Sequence, residues 1–147
     1  MRRPALALAV GVLALAACGG GSNRLSRDEL TARASKLCTK QADAIAQIPR
    51  GPATALNATG YLGAVIAVVA KGVRQFHGLK PPTSLQTRYD AFLAELDRNV
   101  DILRKLRGAA AARQREAYVV GLATLHRSRL RINRIERRLG FTGCLSL

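Results

Sequence analysis

The chain has 147 residues, of which 48% are hydrophobic, and it carries a formal net charge of +15. The hydrophobic content excludes a disordered chain, and the length suits one domain around one core. With 4% aromatic residues and no tryptophan, that core must be built from leucine, isoleucine, valine and alanine, a composition that favours helices over a sheet.

Residues 1–17 have the layout of an export signal. Met1-Arg2-Arg3 is a short positive segment, and residues 5–17 form an uncharged stretch rich in leucine, alanine and valine. Such a stretch is too short to span a bilayer as a helix, which takes about 20 residues, so a cleaved signal is predicted. Leu15-Ala16-Ala17-Cys18 ends the stretch, and residues 19–23 are a glycine-rich segment typical of a flexible tether.

The tetrapeptide Leu15-Ala16-Ala17-Cys18 resembles a bacterial lipobox, the signal at which lipoprotein precursors are lipidated and cleaved. The resemblance implies that residues 1–17 are removed, that Cys18 becomes the lipidated, palmitate-bearing first residue, and that residues 18–26 are a tether. Two acyl chains hold a protein stably on a bilayer, so the rest of the chain is expected on the extracytoplasmic face of the cell membrane. The alternative is an ordinary secretory signal that leaves Cys18 as a free thiol.

Cys38 and Cys144 are the two cysteines that remain once Cys18 is assigned to a lipid. In an oxidising compartment they are expected to form a disulfide. That bond would close a loop of roughly 100 residues and stabilise the fold by about 4–5 kcal/mol in the chain-entropy model. The alternative is two free thiols. Two cysteines far apart in the chain, with His77 and His126 as the only histidines, make a poor metal site. No metal and no cofactor are therefore expected.

Four helices are predicted in the domain formed by residues 27–147. The first covers residues 27–48 and starts at a capping box, in which Ser26 and Glu29 bond the backbone of the first turn. A Pro-Arg-Gly-Pro segment ends it. The second covers residues 53–76 and overlaps a run without charge, whose polar residues and glycines favour a buried core helix over a membrane span.

The third helix opens at a second capping box, residues 83–86, and ends in a turn at residues 107–109. Its apolar seam consists of Leu85, Tyr89, Phe92, Leu96, Val100, Leu103 and Leu106. The fourth helix covers residues 113–139 and is followed by Gly140, which suits the left-handed position after a helix. Its inner stripe consists of Tyr118, Leu122, Leu125, Ile132, Ile135 and Leu139.

Helices of similar length with short connections predict an all-α, antiparallel up-down-up-down four-helix bundle. In this topology the end of the fourth helix lies beside the start of the first, so a short return of the chain can bring Cys144 to Cys38. The arrangement is similar to small helical lipoproteins of actinobacteria, whose tails resemble Gly140-Phe141-Thr142-Gly143-Cys144.

A basic stripe on the fourth helix consists of Arg127, Arg131, Arg134 and Arg138, which follow one another at helical spacing. Such a stripe is expected to bind anionic phospholipid or an envelope polymer, which the lipid on Cys18 would keep within reach. Nucleic acid is the usual partner of such residues inside a cell, and export excludes it. The alternative is a solvated face of a basic bundle.

Motifs for catalysis are absent from the sequence, which has no Gly-x-Ser-x-Gly, His-Glu-x-x-His or P-loop pattern. The predicted function is a non-enzymatic binding or structural module of the cell envelope that uses the basic stripe. The alternative is a small-molecule-binding or sensory bundle whose interior pocket is lined by Gly60, Gly63, Ala64 and Ala67. A pocket with polar side chains would favour the alternative, and a closed core would favour the surface-binding module.

Overall fold

The computed structural model describes residues 23–49, 58–141 and 144. These residues form four α-helices: α1 (Arg27–Ala46), α2 (Thr59–His77), α3 (Gln86–Ala111) and α4 (Arg115–Leu139). A 3-10 turn, Thr83–Leu85, precedes α3, and the described part of the chain contains no strand. The predicted all-α four-helix bundle is confirmed. The predicted signal and the lipidation site Cys18 lie outside the described residues.

α1 begins where the sequence predicts. The Ser26 hydroxyl accepts a hydrogen bond from the backbone N–H of Glu29 at 3.2 Å, and the Glu29 carboxylate accepts one from the backbone N–H of Ser26 at 2.8 Å. The predicted capping box is therefore confirmed. Hydrogen bonds to the carboxylate from the backbone N–H and from the side chain of Ser26 favour its ionised form and lower the pKa of Glu29. The helix ends at Ala46, slightly before the predicted residue 48.

α2 begins at Thr59, and the predicted start at residue 53 lies outside the described residues. None of the described helices combines the length and the hydrophobicity that a bilayer-spanning helix requires. The helix lies close to α1 at Gly72, where an added Cβ would sit 2.6 Å from Oε1 of Gln41. Glycine therefore leaves room at this point for the amide of Gln41.

The two ends of α3 differ from the prediction. Thr83 makes no side-chain cap, because it belongs to the 3-10 turn Thr83–Leu85 that leads into the helix. Gly108 does not end the helix, which continues to Ala111. Burial of Ala109 and Ala110 outweighs the helix penalty of a glycine, which is about 1 kcal/mol. The turn into α4 follows instead, with Arg113 in the left-handed region at φ 55°.

α4 ends at Leu139, and Gly140 follows in the left-handed conformation at φ 83°. The N–H of Phe141 donates to the carbonyl of Glu136 at 3.0 Å, and the N–H of Gly140 donates to the carbonyl of Arg137 at 3.3 Å. This pair of bonds is a Schellman motif, and it confirms the predicted role of Gly140. Phe141 is 1% exposed, so the motif turns the chain back into the core.

The buried side chains form two clusters. The disulfide-end cluster consists of Leu30, Ala34, Cys38, Phe76, Leu85, Tyr89, Phe92, Ile132, Leu139, Phe141 and Cys144. The loop-end cluster consists of Ala58, Leu62, Val69, Val73, Val100, Ile102, Leu103, Leu106 and Ala110. The first contains residues from the start of α1 and of α3 and from the end of α2 and of α4.

Aromatic rings fill the disulfide-end cluster, which corrects the prediction of a core built from aliphatic residues alone. Phe92 lies edge-on to Phe76 and to Phe141, with ring centroids 5.3 Å and 5.6 Å apart. The Tyr89 hydroxyl donates to the carbonyl of Phe76 at 2.7 Å, which ties α3 to the end of α2. Burial of Tyr89 raises its pKa above the usual range of a phenol. This end of the bundle is therefore packed around aromatic rings.

Cys38 of α1 and Cys144 of the tail form a disulfide, with their Cα atoms 4.8 Å apart. The predicted pairing is confirmed, and each cysteine is only 1% exposed. Helix packing is closest between α3 and α4, then between α2 and α3, and then between α1 and α2. α1 and α4 are not packed closely side by side. The disulfide therefore holds together two parts of the bundle that have little direct helix contact.

Replacing both cysteines by alanine is expected to lower the melting temperature by at least about 10 °C, because the bond closes a long loop. Thermal unfolding followed by circular dichroism measures this. Either single alanine variant should lose nearly as much as the double variant, since each change alone breaks the bond. Additive losses from the two single variants would show that packing of the side chains, and not the bond, provides the stability.

Candidate ligand-binding cavity

A cavity of about 520 Å³ lies between the helices. All four helices contribute to its lining, and so does Cys144. Protein interiors contain few voids larger than a water molecule, whereas small-molecule sites usually have volumes of about 300–1,000 Å³. The cavity is therefore the candidate functional site of the bundle.

The walls of the cavity are mostly apolar. Aliphatic side chains from all four helices form them, including Ile45, Leu62, Val65, Leu103, Leu106 and Leu125. Phe76 and Phe92 bring the aromatic rings of the disulfide-end cluster into the lining. Leu122 also lines the cavity but is 44% exposed, although it was predicted to belong to the inner stripe of the fourth helix. Ala46 and Arg129 are exposed lining residues as well, so the cavity reaches solvent between α1 and α4.

Polar side chains interrupt these walls at a few places. They belong to Gln41, Tyr61, Asn99, Tyr118, Arg129, Asn133 and Glu136. The Asn99 amide donates to the Ser128 hydroxyl at 3.5 Å, a long bond that links α3 to α4. An apolar cavity with a few polar groups is typical of a site that binds and orients a small molecule.

Glu136 is the buried ionisable residue of the lining. Its residue exposure is 3%, and within the described part of the chain its Oε2 atom has no hydrogen-bond partner. Burial raises the pKa of this carboxyl from 4.5 to about 7, while the neighbouring charge of Arg137 acts in the opposite direction. The carboxyl therefore changes its protonation state near neutral pH, inside an apolar cavity.

The carboxyl of Glu136 lies next to the disulfide. One of its oxygens and the sulfur atoms of Cys38 and Cys144 all lie within 4.8 Å of one another. Two thiolates and a carboxylate at this spacing can ligate a metal. The disulfide removes the thiolates, which are the form of cysteine that binds metals. In the oxidised protein this group is therefore a disulfide with a neighbouring carboxyl, not a set of metal ligands.

The small residues predicted to line a pocket do not line the cavity. Gly60, Gly63, Ala64 and Ala67 are all absent from the lining, to which α2 contributes larger side chains such as Leu62 and Val65. Gly60, Ala64 and Ala67 are exposed, so this face of α2 is turned mainly to solvent. At Gly63 an added Cβ would lie 3.7 Å from Nε of Arg107. The prediction placed the pocket on the wrong face of α2.

The basic stripe lies on α4 away from the cavity. Its residues are Arg127, Arg131, Arg134 and Arg138, and Arg131 is about 160° around the helix from the lining residue Arg129. Arg131 is not free, because its Nε donates to Glu95 of α3 at 3.0 Å. The other three have no carboxylate partner among the described residues. Within the described residues the stripe therefore presents three guanidinium groups that no carboxylate neutralises.

The two histidines lie outside the cavity lining. His77 at the end of α2 pairs with Asp97 of α3, with Nε2 and Oδ2 3.1 Å apart and both side chains about half exposed. The sequence showed no carboxylate near His77, because Asp97 comes close only when α2 packs on α3. His126 is exposed on α4. Neither histidine shares a site with Glu136.

Sequence reasoning missed Glu136 and Arg129 as residues of the site. Glu136 follows Ile132 by four positions and precedes Leu139 by three, which places an acidic residue in the row of buried positions on α4. A charged residue at a core position was therefore the feature of the sequence that could have identified Glu136 as a site residue. Nothing local in the sequence places Arg129 at a cavity.

Replacing Glu136 by glutamine is expected to change how stability depends on pH. The folded pKa of about 7 lies above the ordinary 4.5, so the wild type should lose stability as the pH rises through this window. The loss should reach about 3 kcal/mol at most, and the Glu136→Gln variant should lack it. Urea unfolding of the wild type and of the variant between about pH 5 and pH 8 measures the free energy of unfolding on which this comparison depends.

Glu116→Gln is the matched control, because Glu116 lies on the same helix and is exposed. This variant should keep the pH dependence of the wild type. A Glu136→Gln variant with an unchanged pH slope would contradict the assignment of the titration to Glu136.

Comparison with protein-family models, with curated proteins and with solved structures gives no match. No relative therefore supplies a ligand or an activity for this chain. The chemical nature of a ligand has to follow from the lining of the cavity, above all from its apolar walls and from Glu136.

Proposed function

We propose that this protein is a lipid-anchored, extracytoplasmic helical bundle that binds a small, mainly apolar molecule in the cavity between its helices. The cavity of about 520 Å³ carries this proposal. A bundle that serves only as a structural module gains stability from a filled core. An open apolar cavity with exposed residues at one side is instead the form of a binding site.

Binding, and not catalysis, is the activity that the lining supports. Among the described residues, the polar side chains of the lining form no hydrogen-bonded pair of a nucleophile and a base. Glu136 is a single carboxyl without a second acid or base in hydrogen-bond contact. Polar groups that are few and separated orient a ligand and select it.

The proposed location rests on the N-terminal sequence and on the cysteines. The lipobox-like segment ending at Cys18 predicts lipidation and export. A structural disulfide is typical of proteins that fold in an oxidising compartment, and the Cys38–Cys144 bond supports the same assignment. A lipid on Cys18 would keep the cavity close to the outer surface of the cell membrane.

The basic stripe remains a second proposed contact, with anionic phospholipid or an envelope polymer as its partner. Three of its arginines have no carboxylate partner among the described residues, but Arg131 is held by Glu95. A stripe of three charges is weaker than the predicted stripe of four, since each adds about 1 kcal/mol near a charged leaflet. We therefore place the main function in the cavity and treat the stripe as a means of orienting the bundle on a membrane.

A tryptophan that fills the cavity should abolish ligand binding. Val65 lines the cavity, so Val65→Trp should weaken binding of the neutral apolar probe N-phenyl-1-naphthylamine at least about tenfold. Fluorescence titration of the purified protein measures the affinity, and thermal unfolding checks that the variant is folded.

Ala67→Trp is the matched control for this experiment. It adds the same side chain to an exposed position of the same helix, outside the lining, and should bind the probe as the wild type does. Equal binding by Val65→Trp and Ala67→Trp would show that the probe binds elsewhere, and failure of the wild type to bind would contradict the proposed function.

Protein from a membrane fraction should have the intact mass of a chain that starts at Cys18 and carries acyl chains. Cys18→Ala should remove the modification, so that the added mass of the acyl chains disappears, because these chains are attached to the Cys18 sulfur. Mass spectrometry of wild type and variant gives the answer. An unmodified wild-type chain would contradict the proposed anchor without affecting the cavity.

A further inference from the structure

The cavity contains one polar group that the fold leaves unsatisfied. Glu136 is 3% exposed, and its Oε2 atom finds no donor within the described residues. The sulfur atoms nearby belong to a disulfide and have no proton to donate. An unsatisfied buried carboxyl is destabilising, so a ligand that supplies a donor at this point gains affinity from the fold itself.

The chemistry of the carboxyl distinguishes three kinds of head group on an otherwise apolar ligand. A carboxylate head offers no donor and is repelled by an ionised Glu136. A hydroxyl head can donate one hydrogen bond. A primary ammonium offers three donors and an opposite charge, and charge-assisted hydrogen bonds are the strongest of this series.

We infer that the cavity takes an amphiphilic primary amine, with its ammonium head on the Glu136 carboxylate and its apolar chain along the aliphatic walls. This inference rests on the ligand-binding function proposed above. It deepens that function by naming the class of the ligand and the residue that selects it.

The other charges near the cavity agree with this placement. Arg129 is the other charged lining residue; it is exposed and lies about 10 Å along α4 from Glu136. Arg137 follows Glu136 on the same helix. From α1 and the tail the disulfide lies within 4.8 Å of the carboxyl, while α2 and α3 contribute Phe76, Phe92 and Asn99 to the lining. Glu136 is thus the acidic group of the cavity, and a buried ammonium finds its counter-charge there.

Burial raises the pKa of Glu136 to about 7, and this supports the inference that the carboxyl binds an amine. An ammonium beside the carboxyl favours its ionised form, so binding of an amine and ionisation of Glu136 assist each other. Affinity for an amine should therefore rise between about pH 5.5 and pH 8. Affinity for an alcohol of the same chain length should change much less.

The experiment compares decylamine, decanol and decanoate as competitors of N-phenyl-1-naphthylamine, using the purified protein at about pH 8. Decylamine should bind about tenfold more tightly than decanol, and decanoate should bind most weakly. The surface of the protein acts against this order, because a net charge of +15 attracts decanoate and repels decylamine. A preference for the amine therefore reports on the cavity.

Glu136→Gln should reduce the affinity for decylamine about tenfold and leave that for decanol within about twofold. Glu116→Gln, which removes an exposed carboxylate from the same helix, should leave all three affinities unchanged. If Glu136→Gln does not fold, the rise of decylamine affinity with pH in the wild type provides the test.

The possible failures separate the inference from the function on which it rests. Decylamine that binds no more tightly than decanol, or a flat pH profile, overturns the inference while binding of the probe still supports the cavity function. Loss of decanol binding in Glu136→Gln equal to the loss of decylamine binding also overturns it. If neither the probe nor any of the three compounds binds to the wild type, the proposed function itself is wrong.

Discussion

The bond between Cys38 and Cys144 takes the place of helix packing between α1 and α4. In the described bundle α1 packs on α2 and α4 packs on α3, while α1 and α4 do not lie closely side by side. At the disulfide end the bond and the aromatic core close the bundle. From the disulfide, which itself lines the cavity, towards the other end, the two helices leave the space between them unfilled, and that space is the cavity. The binding site is therefore a direct result of joining two helices at one end only.

Glu136 gives this space its chemical character. It occupies a position of α4 that by its spacing belongs to the core, between Ile132 and Leu139. A residue chosen for stability alone would be aliphatic there, because an unpaired buried carboxyl is unfavourable. Such departures from good packing are common at sites that bind ligands, where the cost to stability is offset by function. The raised pKa and the missing hydrogen-bond partner are two results of the same burial.

Features of this fold that depend on neighbouring residues in the sequence were predictable. The cap formed by Ser26 and Glu29, the seam of α3 and the turn at Gly140 follow from short patterns with known geometry. The disulfide was predictable from the number of cysteines and the expected compartment. The end of α3 was not, because packing of Ala109 and Ala110 overrides the local preference of Gly108.

The site itself depends on distances between helices, which the sequence does not provide. The pairing of Arg131 with Glu95 across α3 and α4, and of His77 with Asp97 across α2 and α3, joins residues far apart in the chain. The face of α2 that lines the cavity was predicted wrongly for the same reason, since both faces carry small or apolar residues. Lipidation of Cys18 and binding by the basic stripe stay predictions.

The two halves of α4 are anchored very differently. All of its buried residues, beginning with Ser128, lie in the second half, whereas Val119 and Val120 in the first half are more than half exposed. Segments with few buried contacts open at a lower free energy than the rest of a domain. The first half of α4 should therefore undock and close again many times for each unfolding of the whole bundle. Because Tyr118, Leu122 and Leu125 of this half line the cavity, the time that a ligand stays bound should be set by how often this segment of the helix opens.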